Sequence, residues 1–355
     1  MKYRPLLCII ALLLTGVVIW FALSAAPARE SIPGTDAAQR RLVRIWVCSS
    51  VGGGESWLRD CLKTWEKQNP GAMTFLRTVS PEEITKEDAV LPDILLYTPG
   101  AITAPQDAFM PLSNITGIRE PLLRAGRWQM QQYGLPLCYA GYALAIDSAA
   151  EPQLAATPAP TTLLGKPAAT LNPDATATPG LPQGVTLIAP KGCGLFTLGC
   201  LLTERPALAE DFATTDPADI YRRFQARQAT AALLTTGQIT ALNGVFPFRV
   251  ITPSEVITDQ VWLASIFPGA DDAAAELLQY LTSAESQRKL SKQSLHTVRE
   301  DLRLYATGTE ALMETAAARA LTVINAYIPA ADVEAAAWQF FHGREGISEA
   351  LMPLL

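Results

Sequence analysis

Histidine is scarce in this chain: among 355 residues there are two, His296 and His342, and neither stands near a recognisable nucleophile. No His-Glu-x-x-His, Gly-x-Ser-x-Gly or Ser-x-x-Lys element occurs in a fitting context, so no catalytic residue is expected and the chain does not read as an enzyme. Zinc needs clustered Cys and His ligands, which are missing, and the glycine-rich stretch at residues 49–54 is neither a P-loop nor a GxGxxG. No metal or cofactor is therefore expected. Dense basic clusters are absent beyond Arg40, Arg41 and Arg44, and with a net charge of -6 this excludes nucleic acid as a partner. Five cysteines, Cys48, Cys61, Cys138, Cys193 and Cys200, belong to the folded part. An odd number cannot all pair, and buried free thiols are expected, with Cys193–Cys200 the nearest pair that an oxidising compartment would permit. There is no internal repeat and no heptad.

A long run that is both uncharged and almost wholly apolar stands at the start. After Lys2 and Arg4, residues Leu6 to Ala26 carry no charge, which matches the roughly 20 apolar residues needed to span a bilayer. The cations precede the run, and Arg29 beyond it is offset by Glu30, so the bias places the N-terminus inside and the rest outside. Residues 1–28 are expected to be a retained transmembrane anchor. The competing reading is a cleaved signal peptide with its cut near Ala26-Pro27-Ala28, leaving a secreted protein. Residues 29–40, rich in Ser, Pro, Gly, Thr, Asp and Ala, read as a linker. What remains exceeds the size at which one core stops growing, so two lobes are expected.

From residue 41 the pattern alternates strand and helix. Leu42 to Cys48 reads as a strand, residues 49–54 as a glycine-rich turn, and Glu55 to Gln68 as a helix with Trp57, Leu58, Leu62 and Trp65 at helical spacing, stopped by Asn69-Pro70-Gly71. Met73 to Val79 and Asp93 to Tyr97 are further strands, and two extended runs flank the small-residue step at Ala140-Gly141. Such alternation implies a helix-covered, largely parallel α/β sheet. Residues 149–184 are crowded with Pro, Ala and Thr and read as a surface excursion around one short helix at Thr161 to Leu164. Val185 to Ala189 is a strand and Leu195 to Thr203 a helix, Pro217 to Ala232 reads as an amphipathic helix, Phe246 to Thr252 and Gln260 to Phe267 are extended, and Asp271 to Leu290 reads as one long helix. The last fifty residues are helical in pattern, broken at Pro329 and near Gly343.

The order of these pieces resembles the extracellular solute-binding proteins of ABC importers, family 1, the sugar-binding type. The resemblance is carried by Leu91-Pro92-Asp93-Ile94-Leu95, Phe109-Met110-Pro111-Leu112, Tyr133-Gly134-Leu135-Pro136-Leu137 with Gly141 to Asp147, and Leu281-Thr282-Ser283-Ala284-Glu285-Ser286-Gln287. It implies a two-lobed periplasmic-binding-protein type II-like fold with a ligand cleft between the lobes, here preceded by the transmembrane helix. Residues 41–138 and 255–305 would form one lobe. Residues 139–254 would form the other, with 306–355 packing mainly on it. The implied partners are ABC permease subunits and a small polar solute, carbohydrate first, captured outside the cell membrane. Two departures stand out. Phe224 to Ala231 lacks the Gly-Lys and Met of the family's segment, and Val17 stands where a lipid-bearing Cys would follow Leu14-Thr15-Gly16. The alternative is a membrane-anchored scaffold or sensor that keeps the fold without delivering solute.

Candidate ligand contacts follow from strand ends. Ser50 and Gly53 lie in the glycine-rich turn and Glu55 just after it, where backbone N–H groups would face a polar ligand with Ser50 or Glu55 as side-chain contacts; an ordinary turn is the alternative. Tyr97 ends a strand, Tyr139 and Tyr142 flank the Ala140-Gly141 step, and Trp262 opens a later strand. Each offers an aromatic face to a sugar, with core packing as the competing role.

Overall fold

The computed structural model describes residues 41–84, 91–113, 115–150, 169–170, 187–202, 213–214, 217–344 and 346–355. The expected membrane anchor, the linker and the helix at Thr161 to Leu164 lie outside the described residues. Among those described, no helix is long and apolar enough to cross a membrane.

Strand β1 (Arg41–Val47) buries Val43, Ile45, Trp46 and Val47. It is followed by helix α1 (Gly54–Gln68), whose Trp57, Leu58, Cys61, Leu62 and Trp65 recur on one face and are all buried. The helix ends where the Asn69 side chain donates to the Trp65 carbonyl at 2.9 Å. Glu66 then accepts from Thr74 N–H at 2.7 Å and Thr74 Oγ1 at 2.6 Å, fixing the start of β2 (Ala72–Thr78). With β3 (Ile94–Tyr97), three parallel strands are set. A short hairpin, β4 (Arg127–Trp128) and β5 (Gln131–Gln132), and helix α2 (Glu120–Ala125) precede the fully buried β6 (Leu135–Tyr139).

The chain then crosses at Ala140-Gly141 into β7 (Tyr142–Asp147) of a second sheet. Its other members are β8 (Ala169–Thr170), β9 (Leu187–Pro190), β10 (Ala213–Thr214), β11 (Ala231–Thr235) and β12 (Phe248–Thr252), in the order β10-β9-β11-β7-β12-β8. Helices α3 (Cys193–Leu201), α4 (Pro217–Gln225) and α5 (Thr236–Leu242) belong to this half. After β13 (Val256–Thr258) the chain returns through Asp259-Gln260 to β14 (Val261–Ile266), which completes the first sheet in the order β2-β1-β3-β14-β6. The two crossings are bonded to each other: Ala140 N–H donates to the Gln260 carbonyl at 2.8 Å, and Thr258 Oγ1 to the Ala140 carbonyl at 2.7 Å.

Two expected helices are corrected. The pattern at Pro217 to Ala232 ends as helix at Gln225, and Arg227 turns left-handed at φ 56°. Ala231–Thr235 becomes a strand inside the second sheet, because a short apolar run buried on both faces fits strand as well as helix and the neighbouring strands decide. The helix at Asp271 to Leu290 breaks into α6 (Asp272–Leu281) and α7 (Ala284–Arg288), where the Ser283 hydroxyl accepts from Ser286 N–H at 3.3 Å and caps a new start. Further on, α8 (Gly308–Arg319), β15 (Leu321–Val323), α9 (Ala330–Phe341) and α10 (Ile347–Leu351) follow, β15 pairing with β13. Helix α9 packs on α3 with Phe196 and Phe340 stacked at 5.4 Å. None of Cys48, Cys61, Cys138, Cys193 and Cys200 is in a disulfide among the described residues.

Candidate functional site

The carboxyl ends of β1, β3 and β9 meet near the two crossings, so the loops that follow them are drawn together. Gly53 sits at φ 84°, a left-handed conformation that a glycine adopts without cost, and its Cα faces the Gln293 backbone and side chain. It caps α1 without a side chain, which leaves the first N–H groups of that helix near the exposed Ser50. Ser50 Oγ donates to Glu55 Oε1 at 3.3 Å, and Glu55 also faces Arg59 at 3.7 Å. These three residues stay together at the surface.

The four aromatic candidates are placed differently. Tyr97 is fully buried, stacked on Phe109, with its hydroxyl 2.7 Å from Ser265 Oγ and 3.1 Å from the Tyr327 hydroxyl. Trp262 is fully buried against Trp57 and the Gly54 backbone, and its Nε1 donates to the Ser49 carbonyl at 2.7 Å. Tyr139 is fully buried against His296, and its hydroxyl has no partner. Tyr142 is buried and donates to Asp259 Oδ1 at 2.8 Å. Burial pushes the Tyr97 and Tyr139 phenols up to about 12. As aromatic platforms for a ligand these four are corrected: no ring face is open, because each fills the core just beneath a strand end.

What the loops do expose is a different set. A narrow pocket of about 70 Å³ between the β3 and β9 loops is lined by Pro99, Gly100, Lys191, Gly192, Asp259 and Glu334. It shares Lys191, Gly192 and Glu334 with a groove of about 440 Å³ that runs along α9 to Trp338. Asp259 forms the floor. Its carboxylate accepts from Tyr142, from Gln260 Nε2 at 3.0 Å and from the backbone of Cys193, at the start of α3. Burial nevertheless raises its pKa above the ordinary carboxylate value, the hydrogen bonds offsetting only part of that. The Trp338 ring lies 4.2 Å from that of His342, tilted by 39°. An aromatic surface, one cation and two carboxylates around a concave strand-end groove suit a neutral polar ligand bound by hydrogen bonds and ring contact.

A larger groove, about 820 Å³, lies on the flank of the first sheet between the residue 112–118 loop and α6. Two of its three charged groups are already engaged, Glu276 with Arg41 and Arg299 with Asp301, which leaves Asp272. Among the described residues no cluster of His, Cys, Asp and Glu could hold a metal.

The sequence reading missed Lys191, Asp259, Glu334 and Trp338. The rule applied to residues 49–54 would have found Lys191, since Pro190-Lys191-Gly192 also follows a strand. Nothing in the Ala-rich pattern of α9 marks Glu334 or Trp338, which join the site only through the packing of α9 on α3.

No family model matches the sequence, and no curated protein does. Solved structures match the fold along nearly its whole length. The GacH receptor of Streptomyces glaucescens, determined unliganded and with acarbose, is 13% identical with a TM-score of 0.57, covering 87% of this chain and 95% of that one. The ABC substrate-binding protein Lmo0181 of Listeria monocytogenes, in complex with cycloalternan, is 13% identical with a TM-score of 0.55, covering 88% and 97%. A two-component system protein that mediates signal transduction is 13% identical with a TM-score of 0.53, covering 78% and 94%. The chain thus has the α/β architecture of the periplasmic-binding-protein type II fold.

Proposed function

We propose that this chain is an extracytoplasmic solute-binding protein that captures a small polar ligand, carbohydrate first, between two lobes built on its two large sheets. The groove from Asp259 past Lys191 and Glu334 to Trp338 carries this reading, because it lies where parallel strands end and combines ring surface with hydrogen-bonding groups. Ser50, Gly53 and Glu55, on the separate loop that follows β1 and the start of α1, are kept as further candidate contacts although they do not line the groove. Structural neighbours that hold acarbose or cycloalternan make carbohydrate the first class to test. The protein binds without transforming its ligand. Residues Leu6 to Ala26 hold it to the membrane in a single pass with the folded part outside, and ABC permease subunits receive the solute.

One observation favours a second reading. The inner pocket holds about 70 Å³, well under the roughly 300–1,000 Å³ of ordinary ligand sites. Either the lobes open before ligand enters, or the fold serves as a scaffold or sensor, as its likeness to a signal-transducing protein allows. Thermal unfolding of residues 41–355 with neutral oligosaccharides separates the two. A ligand at a hundred times its dissociation constant adds about 2.7 kcal/mol. The gain should vanish in Trp338→Ala. A well-folded protein that no oligosaccharide stabilises would support the scaffold.

A further inference from the structure

Nine large hydrophobic side chains are substantially exposed among the described residues, and six lie at one end of the first sheet. Leu42 and Met73 are register partners at the starts of β1 and β2, and Phe75, two residues on, shares the face of Met73. Leu91 precedes β3. Met110 donates its N–H to the Ile266 carbonyl at the end of β14, at 2.9 Å. Met130 tops the β4–β5 turn just before β6 and is 89% exposed, the most of any. Leu112 N–H joins these last two loops by donating to the Gln132 carbonyl at 2.7 Å. Gln129 and Met130 both take left-handed backbone, at φ 47° and 69°, which costs non-glycine residues energy and serves here to present an apolar tip.

Scattered exposed apolar residues are normal; six gathered at one end mark a contact surface. The occupant follows from where the chain enters. Arg41 begins β1 at this same end, and residues 27–40 are all that separate it from the uncharged run that closes at Ala26. On the linker reading of their composition, a segment of that length spans about 20 Å on average.

We infer that the end of the first sheet bearing Leu42, Met73, Phe75, Leu91, Met110 and Met130 rests on the lipid surface to which the N-terminal run anchors the chain, a step that depends on the anchor reading. The contact is apolar in character. Three of the cations nearby are paired, Arg41 with Glu276, Arg44 with Asp93 and Arg127 with Glu120, which leaves Lys67 at the end of α1 and little other charge to seek anionic headgroups. Seated this way, the groove at the opposite strand ends stands off the bilayer by about the length of β1, roughly 23 Å.

Hydrogen exchange tests this on the full chain in phosphatidylcholine nanodiscs against residues 41–355 in solution, which form one compact unit. Residues 73–76 and 129–131 should exchange at least about fivefold more slowly in the discs. Gly244-Val245, exposed elsewhere, should not change. Added anionic lipid or high salt should leave the protection as it is, and the double variant Phe75→Glu, Met130→Glu should remove it while the chain stays in the disc. Three results would overturn the inference. Unprotected segments in a retained chain exclude the contact, and protection of the lipid-free unit that rises with protein concentration gives the face to a second copy. A chain that the disc does not retain removes the anchor and the contact with it.

Discussion

His296 gives the sharpest test of the packing at the crossing. Its backbone bridges Tyr139, donating to that carbonyl at 2.8 Å and accepting from that N–H at 3.2 Å, so the ring is fixed in the core. The imidazole is fully buried, 5.1 Å from the Tyr139 ring and 5.6 Å from that of Tyr305, and neither nitrogen has a partner. Burial first, and Arg119 second, hold its pKa down at about 3. An unfolded histidine titrates near 6.5. Between those values the unfolded chain binds the proton and the folded one does not, so the contribution of this group is complete above about pH 6.5 and lost as pH falls through the window. At pH 5 the loss is about 1.5 pH units at 1.36 kcal/mol each, or about 2 kcal/mol. Asp259 and Glu314 have raised values and act with the opposite sign, but equally in wild type and variant. Urea unfolding of residues 41–355 at neutral pH and at pH 5, for wild type and His296→Leu, isolates the term. The wild type should lose about 2 kcal/mol more than the variant on acidification. Equal losses would refute the argument, because a histidine that stays neutral when folded cannot be silent there.

Two further expectations concern the scaffold under the groove. Trp262→Phe keeps the buried ring but strands the Ser49 carbonyl, and should cost about 1–3 kcal/mol in urea unfolding with oligosaccharide affinity unchanged; a large affinity loss at intact stability would place the ring in the site. Gly126→Ala should abolish soluble expression, because a Cβ there would stand 1.9 Å from the Gly134 carbonyl oxygen, whereas Gly52→Ala, with open space around it, should unfold at the wild-type urea midpoint.

Several elements were legible in advance because their cause is local. The α1 stripe of Trp57, Leu58, Leu62 and Trp65 needs only the period of the helix, and Asn69-Pro70-Gly71 stops it regardless of surroundings. The strand at Val43 to Val47 and the step at Ala140-Gly141 are of the same kind. Ala231–Thr235 was misread since four small or aliphatic residues in a row satisfy both periods, and only pairing with β7 and β9 chooses strand. The aromatic candidates failed for a related reason. A strand end tells where a side chain lies along the chain, but not whether a neighbouring element covers it, and Trp57, Phe109 and His296 cover Trp262, Tyr97 and Tyr139.

The sequence by itself determined the class of this protein: an apolar run, then alternating strands and helices whose order implies two sheets joined by crossing segments, with no catalytic or metal chemistry in view. Those are properties of composition and short-range period. Tertiary structure alone decided the site. Lys191, Asp259, Glu334 and Trp338 are far apart along the chain and are brought to one groove by the return through Asp259-Gln260 and the seating of α9 on α3. Burial is a pairwise property of elements that meet in space, so no single segment could announce which aromatic would be covered and which left lining the groove.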